Sequence, residues 1–537
     1  MALSSVLSDA LSVIAEPSFD DPILQCDNPD LQDLLFNDTE KALELANSKL
    51  HSFPFKDVHI CWHRLYTDAS IVKACVIIIT KCGLISKARF ETQHLVVSQL
   101  IQDIKDAETK PKLSPDAPWL SDVVAILDHV LIMSGAPLRE KLVESLLSTL
   151  QAATESPKFE YDSTGSPEYP TAKRRKFSPP LFPPNAIRKP HLEHPIPRLS
   201  APSFDLIEHH IQNIRTPLVI TDAMDHWPAT STRPWSSRNY WWDRTFGGRR
   251  LVPIEVGRSY TDEDWGQKIM PFKEFVDKYI WQGKLAPTGS ENQPQVTNLD
   301  GETAYMAQHD LLTQIPALRN DISVPDYCYI TPPGPDPGTP VYEKKKRERE
   351  AKSQAQVSET SLGAQLDTPN EHDIAENNSD AGSLIGIPSD PIINTWIGPA
   401  WTISPLHHDP HHNILAQVVG TKYIRLYSPR TPDSQIHPRE QEWVTSIDET
   451  ADPDPVSGVR PTTRRLVDMS NTSKVDLAAI ESSPAEYEQW EEMWPGFMDA
   501  DYVETVLHEG ECLYIPIGWW HYVRGLRAGI SVNFWWG

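Results

Sequence analysis

Disulfide frames, zinc ribbons and membrane spans are all poorly provided for in this chain. Its 537 residues hold six cysteines, Cys26, Cys61, Cys75, Cys82, Cys328 and Cys512, scattered without a C-x-x-C pair. That usage fits reduced thiols packed in cores better than a disulfide scaffold or a zinc site. The longest apolar run, around Val76-Ile77-Ile78-Ile79, is far too short to cross a bilayer, and the N-terminus lacks a basic segment followed by an apolar one. A soluble protein with no membrane partner is therefore expected. Basic charge is scarce as well: 49 Lys and Arg stand against 74 Asp and Glu, a formal net charge of −25. That balance argues against a surface built to embrace nucleic acid, for which no motif is present, and it draws in basic partners.

Proline is plentiful and divides the chain, which is long enough for two or three domains. Residues 1–155 carry apolar positions at helical spacing, among them Ala42, Leu43, Leu45, Ala46 and Leu50 after Asp38, then Val123, Ile126, Leu127, Val130 and Leu131, then Leu142, Leu146 and Leu147. No ionisable cluster stands out there, so a helical scaffold or docking domain is expected. Ten prolines between 156 and 200 predict a linker. Within it, Lys173-Arg174-Arg175-Lys176 is a basic cluster of the kind that directs nuclear localisation. Residues 201–537 form the third part, and two insertions interrupt it. Residues 332–390, with prolines, a mixed-charge run from Lys344 to Glu350 and many Ser, Asn and Asp, are expected to be disordered. Residues 432–472 are expected to be partly ordered.

The chemistry-bearing residues lie near the C-terminus. Ser404-Pro405-Leu406-His407-His408-Asp409 is followed, 114 residues after His407, by Pro516-Ile517-Gly518-Trp519-Trp520-His521. A histidine and a carboxylate two positions apart on a strand share one face. A distant histidine completes a set that leaves the opposite metal positions open, as in non-haem Fe(II) oxygenases. The triplet alone is weak, since on the order of one such match is expected by chance in this composition. Its setting strengthens it. Segments rich in β-branched and aromatic residues flank it: Asn394 to Ile397, Asn413 to Val419, Lys422 to Tyr427 with Gly420 as a turn between them, Glu511 to Pro516, His521 to Val523 and Ile530 to Trp536. An antiparallel barrel or jelly roll with an internal ligand is expected. His408, His411 and His412 read as exposed or supporting residues, His508 as a loop residue, and His309 as either supporting or core.

These segments, with Pro217-Leu218-Val219-Ile220, His226-Trp227-Pro228, Tyr240-Trp241-Trp242 and Tyr514-Ile515-Pro516-x-x-Trp519-Trp520-His521, resemble the JmjC (cupin-like) 2-oxoglutarate oxygenases. The likeness covers roughly residues 200–537 outside the two insertions. It implies an α+β protein: a C-terminal double-stranded β-helix, or jelly roll, preceded by an all-α N-terminal domain. It also implies His407, Asp409 and His521 as iron ligands and catalytic centre, with Fe(II), 2-oxoglutarate as cosubstrate, and O₂. Lys422, Ser404 and Tyr305 match groups that hold the distal carboxylate of 2-oxoglutarate, and Asn413 an amide near its C1 carboxylate. Val252 to Gly257, Tyr305 to His309 and Ile322 to Cys328 resemble a branch of the family in which Glu255, Trp265 and Trp396 would hold a substrate arginine. A carboxylate pairs with guanidinium and indole faces can sandwich it, although taken singly these read as a surface glutamate and two core tryptophans. The implied partner is a basic protein or peptide bearing arginine or methyl-lysine, and the resemblance also implies association with chromatin. Arginine hydroxylation stands first, methyl-lysine histone demethylation second, and a non-catalytic chromatin scaffold or a cupin isomerase or sugar-binding protein behind them.

Overall fold

The computed structural model describes the chain except for residues 1, 27–29, 53–57, 86–95, 108–112, 155–179, 185, 258, 260, 262–264, 282–302, 363–389 and 448–461. The basic cluster at 173–176 therefore lies outside the described residues.

Helices fill the N-terminal part, including Leu3–Ala15, Thr39–Ser52, Ile60–Lys81, Trp119–His129 and Glu140–Ala153. Their apolar stripes meet in one core built on Leu7, Leu11, Leu65, Ile78, Leu127 and Leu146. The expectation that no ionisable cluster sits here is corrected. Arg64 bridges Asp21 at 2.8 Å and Asp68 at 2.9 Å, and Arg139 joins Asp68 at 3.1 Å, all buried. Arg64 and Asp68 are four apart on one helix, but Asp21 and Arg139, 118 residues from each other and 3.4 Å apart, join them only through the fold.

The C-terminal part is built on strands β1 (Arg198–Ser200), β2 (Leu218–Thr221), β3 (Leu251–Val256), β4 (Gly266–Pro271), β5 (Ala304–His309), β6 (Ile392–Gly398), β7 (Ile403–His407), β8 (His412–Tyr427), β9 (Gln441–Ile447), β10 (Thr462–Asp468), β11 (Tyr502–Leu507), β12 (Cys512–Ile515) and β13 (Trp520–Trp536). Eleven form one sheet in the order β1-β2-β12-β8-β13-β6-β5-β3-β4, with β11 on β8 and β7 on β13, while β9 and β10 make a separate hairpin. With the helical region before it, the chain is α+β.

Four expectations change. Gly420 does not divide two strands: β8 runs through it, bent at φ 91°. At the same crossing a Cβ on Gly529 would lie 1.9 Å from the Val419 carbonyl, so β8 and β13 approach more closely there than any side chain allows. His521 to Val523 and Ile530 to Trp536 likewise belong to the single long strand β13. The described end of the expected linker is part of the β region: Leu181 and Phe182 are buried in its core, and Arg198–Ser200 pairs in parallel with β2. Proline excludes helix but not burial or an edge strand. The insertion 332–390 is not disordered throughout, since Pro340–Leu362 forms a helix whose Val341 is buried and whose Lys344 meets Asp468 at 3.0 Å. Its Lys, Arg, Glu, Gln and Ala are good helix formers, with opposite charges four apart at Glu343/Arg347 and Lys344/Glu348. Lack of apolar residues excludes a core, not a helix. Residues 363–389 lie outside the described residues.

Candidate metal centre

Strands β7 and β13 run antiparallel with His407 opposite His521, and their rings lie 4.2 Å apart. Asp409 does not share a strand with His407, as the alternation had predicted. Strand β7 stops at His407, and Asp409 sits in the turn beyond, where its carbonyl accepts from the Gly518 N–H at 3.1 Å. That turn returns its carboxylate to 3.5 Å from His521 Nε2. One ligand atom from each of the three residues lies within 4.8 Å of the others, the spacing that lets them hold one metal ion.

Both rings are oriented by main chain. His407 Nδ1 lies 2.7 Å from the Pro405 carbonyl and His521 Nδ1 3.0 Å from that of Trp519. With Nδ1–H donating, each Nε2 lone pair is free for a metal. Burial, assisted by neighbouring His407, pushes His521 down to about 4, so it is neutral, as a ligand must be.

A bulge between His521 and Val523 sets Ser404 opposite Val523, which turns Ser404 onto the His407 face despite their odd separation. Deeper in, the Lys422 ammonium is buried and donates to Tyr305 Oη at 3.0 Å. It also lies over the rings of Tyr305 and Trp396, at 5.6 and 5.9 Å. Burial alone pushes it down to about 7, and no carboxylate among the described residues pairs with it. Asn413 on β8 stands opposite Trp535 on β13, and both Asn413 Oδ1 and Trp535 Nε1 are buried without a partner. Asn533 Nδ2, two residues before Trp535 and so on the same face of β13, is in the same condition. A buried cation lacking its counter-charge, beside unpartnered polar atoms, fits an acidic metal-chelating ligand such as 2-oxoglutarate. Trp535 and Asn533 were missed from sequence. The only signal was polar Asn533 inside the apolar run Ile530 to Trp536.

Glu255 on β3 pairs with Tyr305 on β5 and accepts from Trp265 Nε1 at 3.4 Å. Burial raises its pKa, against the effect of Trp265, and no Lys or Arg among the described residues pairs with it. Trp396 tilts against Tyr305 with ring centres 5.6 Å apart, its Nε1 donating to Asn533 Oδ1 at 2.7 Å. Glu255, Trp265, Tyr305, Trp396 and Lys422 are thus linked by contacts into one continuous wall.

The other histidines are engaged elsewhere. His408 and His412 are buried, not exposed: His408 packs edge-on to Trp520, while His412 contacts Tyr514 Oη at 2.9 Å and the Pro333 carbonyl at 3.0 Å. His411 stacks on Trp535, His508 meets Glu511, and His309 meets Gln314.

Comparison with known proteins agrees with this architecture. Residues 205–537 match the cupin-like domain family. Lysine-specific demethylase 8 of Danio rerio is 31% identical over 79% of this chain and 76% of its own length. Lysine-specific demethylase JMJ30 of Arabidopsis thaliana is 30% identical over 93% of this chain and 85% of its own. Human bifunctional peptidase and (3S)-lysyl hydroxylase JMJD7 is 26% identical over 27% of this chain and 40% of its own. A sheet that gathers two histidines and an aspartate, together with likeness along most of the chain, places it in the JmjC group of cupin-like proteins, as a 2-oxoglutarate-dependent oxygenase.

Proposed function

We propose that this oxygenase hydroxylates an arginine side chain of a basic protein substrate. His407, Asp409 and His521 would hold Fe(II), and Lys422, Tyr305, Ser404 and Asn413 would bind 2-oxoglutarate. The reading is carried by Glu255, a carboxylate without a basic partner among the described residues, held against the Trp265 indole and in register with Tyr305. Guanidinium has the planar shape and charge for that position, and the Trp396 face on the same wall suits its other side.

Bound iron and 2-oxoglutarate supply oxidation of an unactivated C–H bond by O₂. The chain's own residues decide which bond. Lys422 and Tyr305 would orient the diacid through its distal carboxylate, Glu255 neutralises the substrate cation as it leaves water, and the aromatic wall excludes solvent from the reacting carbon.

Methyl-lysine demethylation is the second reading, favoured by the names of the zebrafish and Arabidopsis relatives. Peptides carrying arginine or trimethyl-lysine, incubated with enzyme, Fe(II) and 2-oxoglutarate, separate the two by mass: a gain of about 16 Da for hydroxylation against a loss of about 14 Da per methyl group. Arginine peptides that remain unmodified while methyl-lysine is shortened would reverse the order. Nuclear localisation through Lys173–Lys176 and association with chromatin complete the proposal, and deletion of that basic cluster should leave the protein in the cytoplasm.

A further inference from the structure

Strands β3 and β5 pair at Glu255/Tyr305 and Val256/Ala304, and continuing that register would set Leu251 opposite His309. No ladder forms there. Strand β5 turns away toward β6 at Gln308, which adopts a left-handed φ of 49°. The Gln314 side chain fills the gap: its Nε2 donates to the Leu251 carbonyl at 2.8 Å, and its Oε1 lies 2.6 Å from His309 Nε2. Both Gln314 donors are spent, so its oxygen accepts and His309 carries its proton on Nε2. The second donor goes to Asp128 Oδ1 at 3.0 Å, on the helix Trp119–His129 of the N-terminal region. Asp128 is fully buried and also accepts from Arg250 Nε at 2.8 Å and from the Leu251 N–H at 2.7 Å. Arg250 closes the loop by donating to the Gln314 carbonyl at 2.7 Å.

We infer that Asp128 is a positioning residue for the oxygenase site: through Gln314 and Arg250 it fixes the far ends of the two strands whose near ends carry Glu255 and Tyr305. A carboxylate from the helical region thus replaces missing sheet hydrogen bonds in the catalytic one. On β3 four extended residues, on the order of 13 Å, separate the tie at Leu251 from Glu255, and on β5 the tied His309 holds the Gln308 turn that lies three residues beyond Tyr305, so displacement at Asp128 is carried to both side chains. The inference rests on the proposed roles of Glu255 and Tyr305.

The test uses the full-length protein and two variants, Asp128→Asn and Gln314→Leu, the second of which leaves the Asp128–Arg250 pair intact. Hydrogen exchange should quicken in both variants at residues 251–256 and 304–309 and stay unchanged in β8. In steady state the KM for an arginine peptide should rise about tenfold, with kcat within about threefold of wild type. Wild-type exchange and KM in a folded Gln314→Leu protein overturn the inference, whatever Asp128→Asn does. A kcat loss at unchanged KM overturns it equally. Failure of the arginine reading appears separately, as wild-type enzyme that turns over 2-oxoglutarate without modifying the peptide; exchange in the two variants then decides the inference by itself.

Discussion

Lys422 concentrates the electrostatics of the site. Its ammonium is buried beside the Tyr305 phenol and the Trp396 indole, and burial pushes it down to about 7. A dianion binds the charged form, so below pH 7 the amine is ready, whereas above it every binding event must first take up a proton. The KM for 2-oxoglutarate should therefore climb with pH above 7, about tenfold per unit. In Lys422→Arg, which stays charged, that rise should vanish even if the absolute KM is worse. A pH series of initial rates checks both. The metal ligands allow a binding measurement without turnover. Mn(II) at a hundredfold excess over its Kd should stabilise wild-type protein by about 2.7 kcal/mol and Asp409→Ala not at all, read from thermal melts.

Strands β8 and β13 form the element on which the site depends, since one carries Asn413 and Lys422 and the other His521 and Trp535. Their crossing at Gly420 and Gly529 tolerates no side chain. Gly529→Ala should cost at least about 3 kcal/mol or prevent folding, through overpacking against a backbone that cannot retreat; a melt within a degree or two of wild type would contradict this. How much of the fold is readable from sequence becomes clear at this level. The β-branched runs around His407 and His521 announce strands, because alternation and branching are local properties. Continuity through Gly420 is not local, since a glycine that permits a bend and one that permits a turn look alike until the partner strand is known. For the same reason the sequence names Ser404 and Asp409 as neighbours of His407 but not how they face it, which depends on a bulge and a turn. Trp535, Asn533 and the Asp128–Gln314 tie escape because their partners are more than a hundred residues away.

Across the whole molecule, a net charge of −25 is set against a proposed basic substrate. Long-range attraction of this kind raises encounter rates and is screened by salt. For an arginine-rich peptide kcat/KM should fall several-fold between about 0.01 and 0.15 M NaCl, while for a peptide of zero net charge it should barely move. Equal salt dependence for both peptides would remove charge from the account of substrate choice.

The carbonyls of Pro405 and Trp519, which aim the two imidazoles, are contributed by the peptide backbone itself. Every amino acid offers that oxygen, so ring orientation survives replacement of the side chains next to either histidine. Evolution can therefore reshape the walls around the metal, and with them the choice of target, while leaving the ligand geometry untouched.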